Sequence, residues 1–193
     1  MTSWICTEVL TRDTPAARAI VLEHFINMAM ICYKHNDMHC ALCITVALCC
    51  TPIKRLAKSW DCLERKAKHK FEKLKDATDH QEKCKKLREK LQRVTEESLE
   101  KTNCIPSCIP YLGAYIDQIY SLEIGCKTYN SDGLVNFAKM TKLSSLIDTV
   151  LQYQRVRCTF EPKLDIMAYV MSAKRLSENE LYDLSVKKEP SKR

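Results

Sequence analysis

The sequence predicts an all-α fold, an irregular helical domain from which an antiparallel helical hairpin protrudes. Three observations point there. Only 3 glycines and 6 prolines interrupt 193 residues that are 46% hydrophobic, so long elements with a core of their own are available. Apolar residues recur at helical spacing in stretch after stretch. Strand-like alternation and internal repeats are both absent.

Thr14 and Pro15 make a helix start, a hydroxyl cap followed by proline at the first helical position. That helix runs to about Tyr33, with Ile20, Val21, His24, Phe25, Met28 and Cys32 on its buried side, where His24 reads as a core histidine. Asn36 and Asp37 restart the chain, and a second apolar helix continues to about Cys50. Pro52 stops it, because proline disfavours helical geometry in the residue before it. A short helix then turns Ile53, Leu56, Trp60 and Leu63 inward. Two charged helical pieces follow, near 64–75 and 81–94, broken at Ala77-Thr78-Asp79, and 95–103 reads as a polar surface loop or a frayed helix end.

The stretch 110–125, PYLGAYIDQIYSLEIG, is the most informative. As a helix it sets Leu112, Tyr115, Ile116, Ile119 and Leu122 on one stripe roughly 120° wide. Gly113, Ala114, Asp117 and Ser121 lie opposite, small enough for a partner backbone to approach. Glu123 and Ile124 stand at the far end, before a Gly125 stop. A second periodic stretch, 134–154, carries Phe137, Met140, Leu143, Ile147, Val150 and Leu151. The two form an αα-hairpin with an acid at one end, suited to insertion. A last region holds Ile166, Tyr169 and Val170. Ser177 and Glu180 then resemble a capping box opening a final helix with Leu181, Tyr182 and Leu184.

Composition bounds the function. No run of about 18 apolar residues exists, so no membrane-spanning helix is expected, and Met1-Thr2-Ser3-Trp4 lacks the features of a secretory leader. The reading is cytoplasmic. Among 12 cysteines, Cys40-x-x-Cys43 and Cys104-x-x-x-Cys108 have ligand-like spacing, with His35 and His39 nearby. Yet Cys40, Cys43, Cys49 and Cys50 fall among Leu42, Ile44, Val46 and Leu48, where they read as small buried hydrophobes, reduced and without metal. The net charge of +7 comes largely from between Arg65 and Arg93. It reads first as a solvated helix face, and second as a surface for an acidic membrane able to recruit the protein. No nucleic-acid-binding signature accompanies it, so nucleic acid is not expected.

Four ordered blocks carry a resemblance: Trp4 to Arg18 to Ala29; Thr51-Pro52-Ile53-Lys54-Arg55-Leu56-Ala57-Lys58-Ser59-Trp60; the hairpin with Leu134-Val135-Asn136-Phe137-Ala138-Lys139; and Leu181-Tyr182-Asp183-Leu184-Ser185 with Glu189-Pro190. Together they resemble the catalytic domain of Ras-superfamily guanine-nucleotide exchange factors, the family of Son of sevenless and the Ral exchange factors. The resemblance implies one domain over 1–186, begun almost at Trp4 without the family's upstream helices, and a disordered tail over 187–193. On that reading the chain alone should be a weak, self-associating catalyst.

The resemblance also implies a regulator with no bond-making chemistry and no cofactor. Its partner would be a Ras, Rap or Ral GTPase, and the hairpin would prise one switch region from the nucleotide. At the catalytic positions, Tyr111 matches the aromatic at the base of the first hairpin helix. Tyr120 falls on the aliphatic that occludes Mg²⁺. Ile124 stands where Son of sevenless has its glutamate, and Glu123 is the acid one residue earlier, as in the Ral exchange factors. Leu42, Cys49, Lys54, Cys84 and Lys142 fall at GTPase-binding positions. Arg55, Trp60, Asn136 and Phe137 read as structural supports. An alternative is a GTPase-binding or scaffold module of the same fold with little or no exchange activity.

Overall fold

The computed structural model describes residues 1–79, 84–156 and 160–190. Among the described residues eleven helices follow in order: α1 (Thr2–Leu10), α2 (Pro15–Lys34), α3 (Met38–Cys49), α4 (Thr51–Lys54), α5 (Ala57–Asp61), α6 (Arg65–Ala77), α7 (Lys85–Thr102), α8 (Leu112–Gly125), α9 (Phe137–Gln154), α10 (Leu164–Ser172) and α11 (Glu178–Lys188). Among the described residues the only β pairings are two isolated bridges, Asp37 with Ile109 and Tyr129 with Val135. The fold is all-α, as the sequence predicts. The chain divides into two compact units, one of Met1–Lys34, Cys40–Thr78 and Phe160–Arg193, the other of His35–His39 and Asp79–Thr159.

In the first unit, α1 packs on α2, α4 and α11, and α2 packs on α5 and α6. Their shared core holds Ile5, Val9, Leu10, Leu22, Phe25, Ile26, Ile44, Leu48, Ile53, Leu56, Leu74 and Leu181. Helix α2 begins as the sequence predicts, with the Thr14 hydroxyl accepting the Ala17 N–H at 3.1 Å. Its buried face differs from the predicted one: Arg18, Ala19, Leu22, Phe25, Ile26 and Ala29 are inside, and Ile20 is 71% exposed. The helix is apolar nearly all round, so its periodicity does not select a face. By length and composition alone α2 could cross a membrane, but one face is built into this core. Helix α6 does select, with Ala67, Phe71 and Leu74 inward and lysines outside.

A buried polar junction ties three parts of this unit. The Arg18 guanidinium donates to a Glu189 carboxylate oxygen at 3.0 Å, with both side chains nearly inaccessible. Glu189 also accepts the Ser59 hydroxyl (2.6 Å) and the Lys58 (2.8 Å) and Ser59 (3.1 Å) backbone N–H groups. Arg18 is completed by Ser59 Oγ and by the carbonyls of Arg12 and Asp13. The tail expected from Lys187 is therefore corrected: Lys187 and Lys188 belong to α11, and Glu189 is buried. Residues 191–193 lie outside the described part. The capping box of Ser177 and Glu180 opens α11 as expected.

In the second unit, α7 runs on through Thr102, so that stretch is a helix end and not a loop. Thr95 is buried there, its hydroxyl 3.1 Å from that of Tyr153 on α9, and this inward anchor outweighs the polar composition. The expected start of α7 at Gln81 lies outside the described residues. Met38, Leu87, Leu91, Tyr111, Ala114 and Tyr115 close around a void of only about 10 Å³. Helix α8 packs on α9.

Candidate functional site

Helix α8 starts after Tyr111, whose ring folds back over Gly113 and stacks on His39 with centroids 6.2 Å apart. A Cβ at Gly113 would lie 2.5 Å from the Tyr111 ring and hydroxyl, so glycine is what lets the aromatic settle there. The helix buries Ala114 and Tyr115, not the five-residue stripe expected: Leu112 and Ile116 are exposed. The small residue Ala114 thus packs inside, because the aromatic Tyr115 beside it brings the larger buried area.

Turning those two residues inward sends another row outward. Ile116, Tyr120 and Ile124 are 61%, 66% and 70% exposed. Spaced by four, they form one ridge along the helix. Two of the expected catalytic positions, Tyr120 and Ile124, stand on it, and Tyr111 lies at its base. Leu134, Val135 and Phe137 add exposed apolar surface beyond α8. Phe137 is 79% exposed, which corrects the supporting role expected of it.

Glu123 points elsewhere. Its carboxylate accepts the Lys139 ammonium at 2.8 Å, and the Lys139 side chain is 1% exposed against 51% for Glu123. Lys139 also donates to the Thr128 hydroxyl at 3.0 Å. Asn136 caps α9, its side-chain oxygen accepting the Lys139 N–H at 3.1 Å while its Nδ2 donates to the Lys127 carbonyl. The α8–α9 connection is therefore clasped at both ends by side chains. Sequence reasoning found Asn136 and Glu123 but missed Lys139. The available signal was its place three residues after a capping asparagine, on the inner face of α9.

The positions expected to grip a GTPase divide between the units. In the first, Cys49 and Lys54 line a groove of about 440 Å³ with Trp60, Lys68, Phe71 and Lys75. Trp60 stacks on Phe71 at 4.9 Å and its indole N–H donates to the Ile53 carbonyl at 2.9 Å. Arg55 donates to the Ser185 hydroxyl at 3.3 Å. Leu42 is 2% exposed and, against expectation, closed to direct contact in this conformation. Burial raises the Cys49 thiol above its usual value, with Lys75 and Lys54 opposing. In the second unit Lys142 is exposed. Cys84, also expected at the interface, is buried at a left-handed turn, φ 56°, before α7. Among the described residues no group of histidine, cysteine and acidic side chains has metal-ligand geometry.

The chain has relatives among known proteins. A family model described as RasGEF domain matches residues 1–141. The chain is 33% identical over 187 residues to the Ras-specific guanine nucleotide-releasing factor 1 of Rattus norvegicus, covering 96% of this chain and 14% of that protein. It is 29% identical to the Ras guanine nucleotide exchange factor Y of Dictyostelium discoideum, covering 97% and 12%. To the Ras-specific guanine nucleotide-releasing factor RalGPS1 of Gallus gallus it is 30% identical, covering 97% and 32%. The chain thus spans a minor part of each of these relatives.

Proposed function

The chain belongs to the RasGEF domain family, and from that premise we propose that it is a guanine-nucleotide exchange factor for a Ras-superfamily GTPase. The observation that carries the reading is the outward ridge of Ile116, Tyr120 and Ile124 on α8. Three large apolar side chains in a row, left to solvent, suit a protein surface that completes them. An exchange factor forms no bonds of its own. It binds the nucleotide-free GTPase better than the loaded one, and linkage makes that antagonism reciprocal. A thousandfold faster release needs about 4 kcal/mol of barrier lowering, within reach of a few buried interface side chains.

On this reading the α8–α9 hairpin enters beside the nucleotide. Tyr120 and Ile124 supply apolar bulk near the phosphate and Mg²⁺ site, and Tyr111 anchors the base of α8. Glu123, held by Lys139, acts first by keeping the last turn of α8 in place. Cys49, Lys54 and Lys142 contribute to the grip on the GTPase. The chain works in the cytoplasm, and the outward lysines of α6 favour an acidic membrane; retention on phosphatidylserine vesicles that salt abolishes would support that part.

The test is release of labelled GDP from Ras, Rap and Ral proteins with and without this chain. Acceleration on at least one, lost in Tyr120→Ala and Ile124→Ala, is the expected result. No acceleration on any member, with the chain folded and the GTPases responsive to a reference factor, would overturn the reading. A second reading, a GTPase-binding module without exchange, draws on the burial of Leu42 and Cys84. Stable binding to the nucleotide-free GTPase without faster release would favour it.

A further inference from the structure

Cys6 of α1 and Cys50, the residue between α3 and α4, bring their sulfurs to 3.3 Å. Cys6 has no accessible surface and Cys50 is half-buried. The two sit 44 residues apart in the sequence, in one unit, on elements whose packing is fixed by the core around Ile5, Val9, Leu48 and Ile53. Their approach is therefore built into the fold. We propose that Cys6 and Cys50 form a dithiol site that a hydroperoxide oxidises reversibly to an intramolecular disulfide.

The two thiols differ in a way the reaction can use. The two sulfurs share a hydrogen bond in which either can donate, and Cys6 also lies within reach of the Ala47 carbonyl at 3.7 Å. That contact with Cys6, joined by backbone N–H groups at Ile53 and at Cys50 itself, sets the Cys50 thiol below its usual value against the opposing effect of burial. Cys6 moves the other way, through that same hydrogen bond and its burial. Cys50 is thus the attacking thiolate and Cys6 the protonated partner. Its neighbour Cys49 is exposed, yet burial of its sulfur holds the thiol above the usual value.

The steps balance with a hydroperoxide as the two-electron oxidant. The Cys50 thiolate attacks the terminal peroxide oxygen; an S–O bond forms, the O–O bond breaks, and the alkoxide or hydroxide takes a proton and leaves. Cys50 is then a sulfenic acid. The Cys6 sulfur, already in contact, attacks the Cys50 sulfur; the S–S bond forms, the S–O bond breaks, and the hydroxide departs as water with the Cys6 proton. Two thiols and one hydroperoxide give one disulfide, one alcohol or water, and one water. A thiol reductant reverses the change by exchange. The bond would join α1 to the start of α4, closing a loop of more than forty residues, and so would raise the melting temperature by several degrees. The inference stands apart from the exchange reading.

The experiment treats the reduced, purified chain with one molar equivalent of hydrogen peroxide, blocks remaining thiols with N-ethylmaleimide and maps the digest without reduction. The expected product is a Cys6–Cys50 linked peptide, with the other ten of the 12 cysteines alkylated, and dithiothreitol restores both thiols. In Cys6→Ser, dimedone should trap Cys50 as its sulfenic acid; in Cys50→Ser the linked peptide should vanish and the oxidation-dependent rise in melting temperature with it. Twelve intact thiols after treatment, or first oxidation at Cys49, Cys62 or Cys104, or a bridge from Cys50 to another partner, would each overturn the proposal.

Discussion

At the residue scale, the strongest constraints come from side chains whose roles depend on partners far away in sequence. Arg18 and Glu189 are 171 positions apart. Family resemblance marks both blocks, but only the fold makes them an ion pair. Removing one partner leaves a buried charge uncompensated, so Glu189→Gln should destabilise by about 3 kcal/mol or more. The pH dependence has a definite sign. Burial alone would raise the Glu189 carboxyl, but hydrogen bonds from Ser59, Arg18 and the Lys58 and Ser59 backbone outweigh it and hold it below its ordinary value. Its contribution is therefore complete above the unfolded value of about 4.3 and fades as pH falls through the lower folded value. Urea midpoints of parent and Glu189→Gln should differ at neutral pH and converge in acid; a gap independent of pH would contradict this. Gly113 is constrained as tightly, by distance. Gly113→Ala would bring a methyl to 2.5 Å from the Tyr111 ring, so Tyr111 must leave its stack on His39. GTPase affinity should fall about as far as in Tyr111→Ala, roughly thirtyfold for 2 kcal/mol. Unchanged binding in Gly113→Ala would remove Tyr111 from the interface.

At the element scale, the sequence was legible where periodicity and caps agree. Helices α2, α6 and α11 start where a cap or a charged stripe announces them, whereas α9 begins at Phe137, three residues after the expected 134, behind its Asn136 cap. It was less legible where one feature masks another. Helix α1 went unpredicted because 9 residues with both polar and apolar members carry no clear period. The end of α7 is polar in composition but anchored by Thr95. The apolar residues Ile166, Tyr169 and Val170 fall on α10, yet none of its residues is buried, and Tyr169 makes a surface hydrogen bond to Glu8 at 2.7 Å. The sequence announces the α8–α9 pair but not its inner and outer faces, because an exposed apolar ridge and a buried stripe look alike in sequence. Its clasp can be tested by a double-mutant cycle. Lys139→Met and Glu123→Ala each break the same contact, so the double variant should be little worse in urea midpoint than the worse single one. Full additivity would mean that Glu123 does not stabilise α8 through Lys139.

At the scale of the whole molecule, the chain reads as a single domain from its sequence, but its contacts gather into two units. Periodicity reports which face of a helix is apolar and says nothing of which helices share a core, so this division was not legible. The units are built to different standards. In the first, six of the described helices contribute buried residues to one core. In the second, α9 runs for 18 residues with only Lys139 and Tyr153 buried. Local opening free energy follows the apolar contacts that must be broken, so amides in the two units should exchange with solvent on different terms. Those of α1 and the middle of α2 should exchange only when the first unit unfolds, and share one denaturant dependence. Those of α9 should exchange through local opening, faster and with little dependence on denaturant. Such an economy suits a helix whose apolar surface is reserved for a partner: ordering it fully in the free state would require burying what binding must use. Native-state hydrogen exchange, read by mass spectrometry on peptides from α2 and α9, measures the difference directly. Binding of a nucleotide-free GTPase should then slow exchange most in α8 and α9. Equal protection of α2 and α9 in the free chain would mean that the few buried contacts of α9 hold it as firmly as a core, and the link drawn between sparse burial and function would fail.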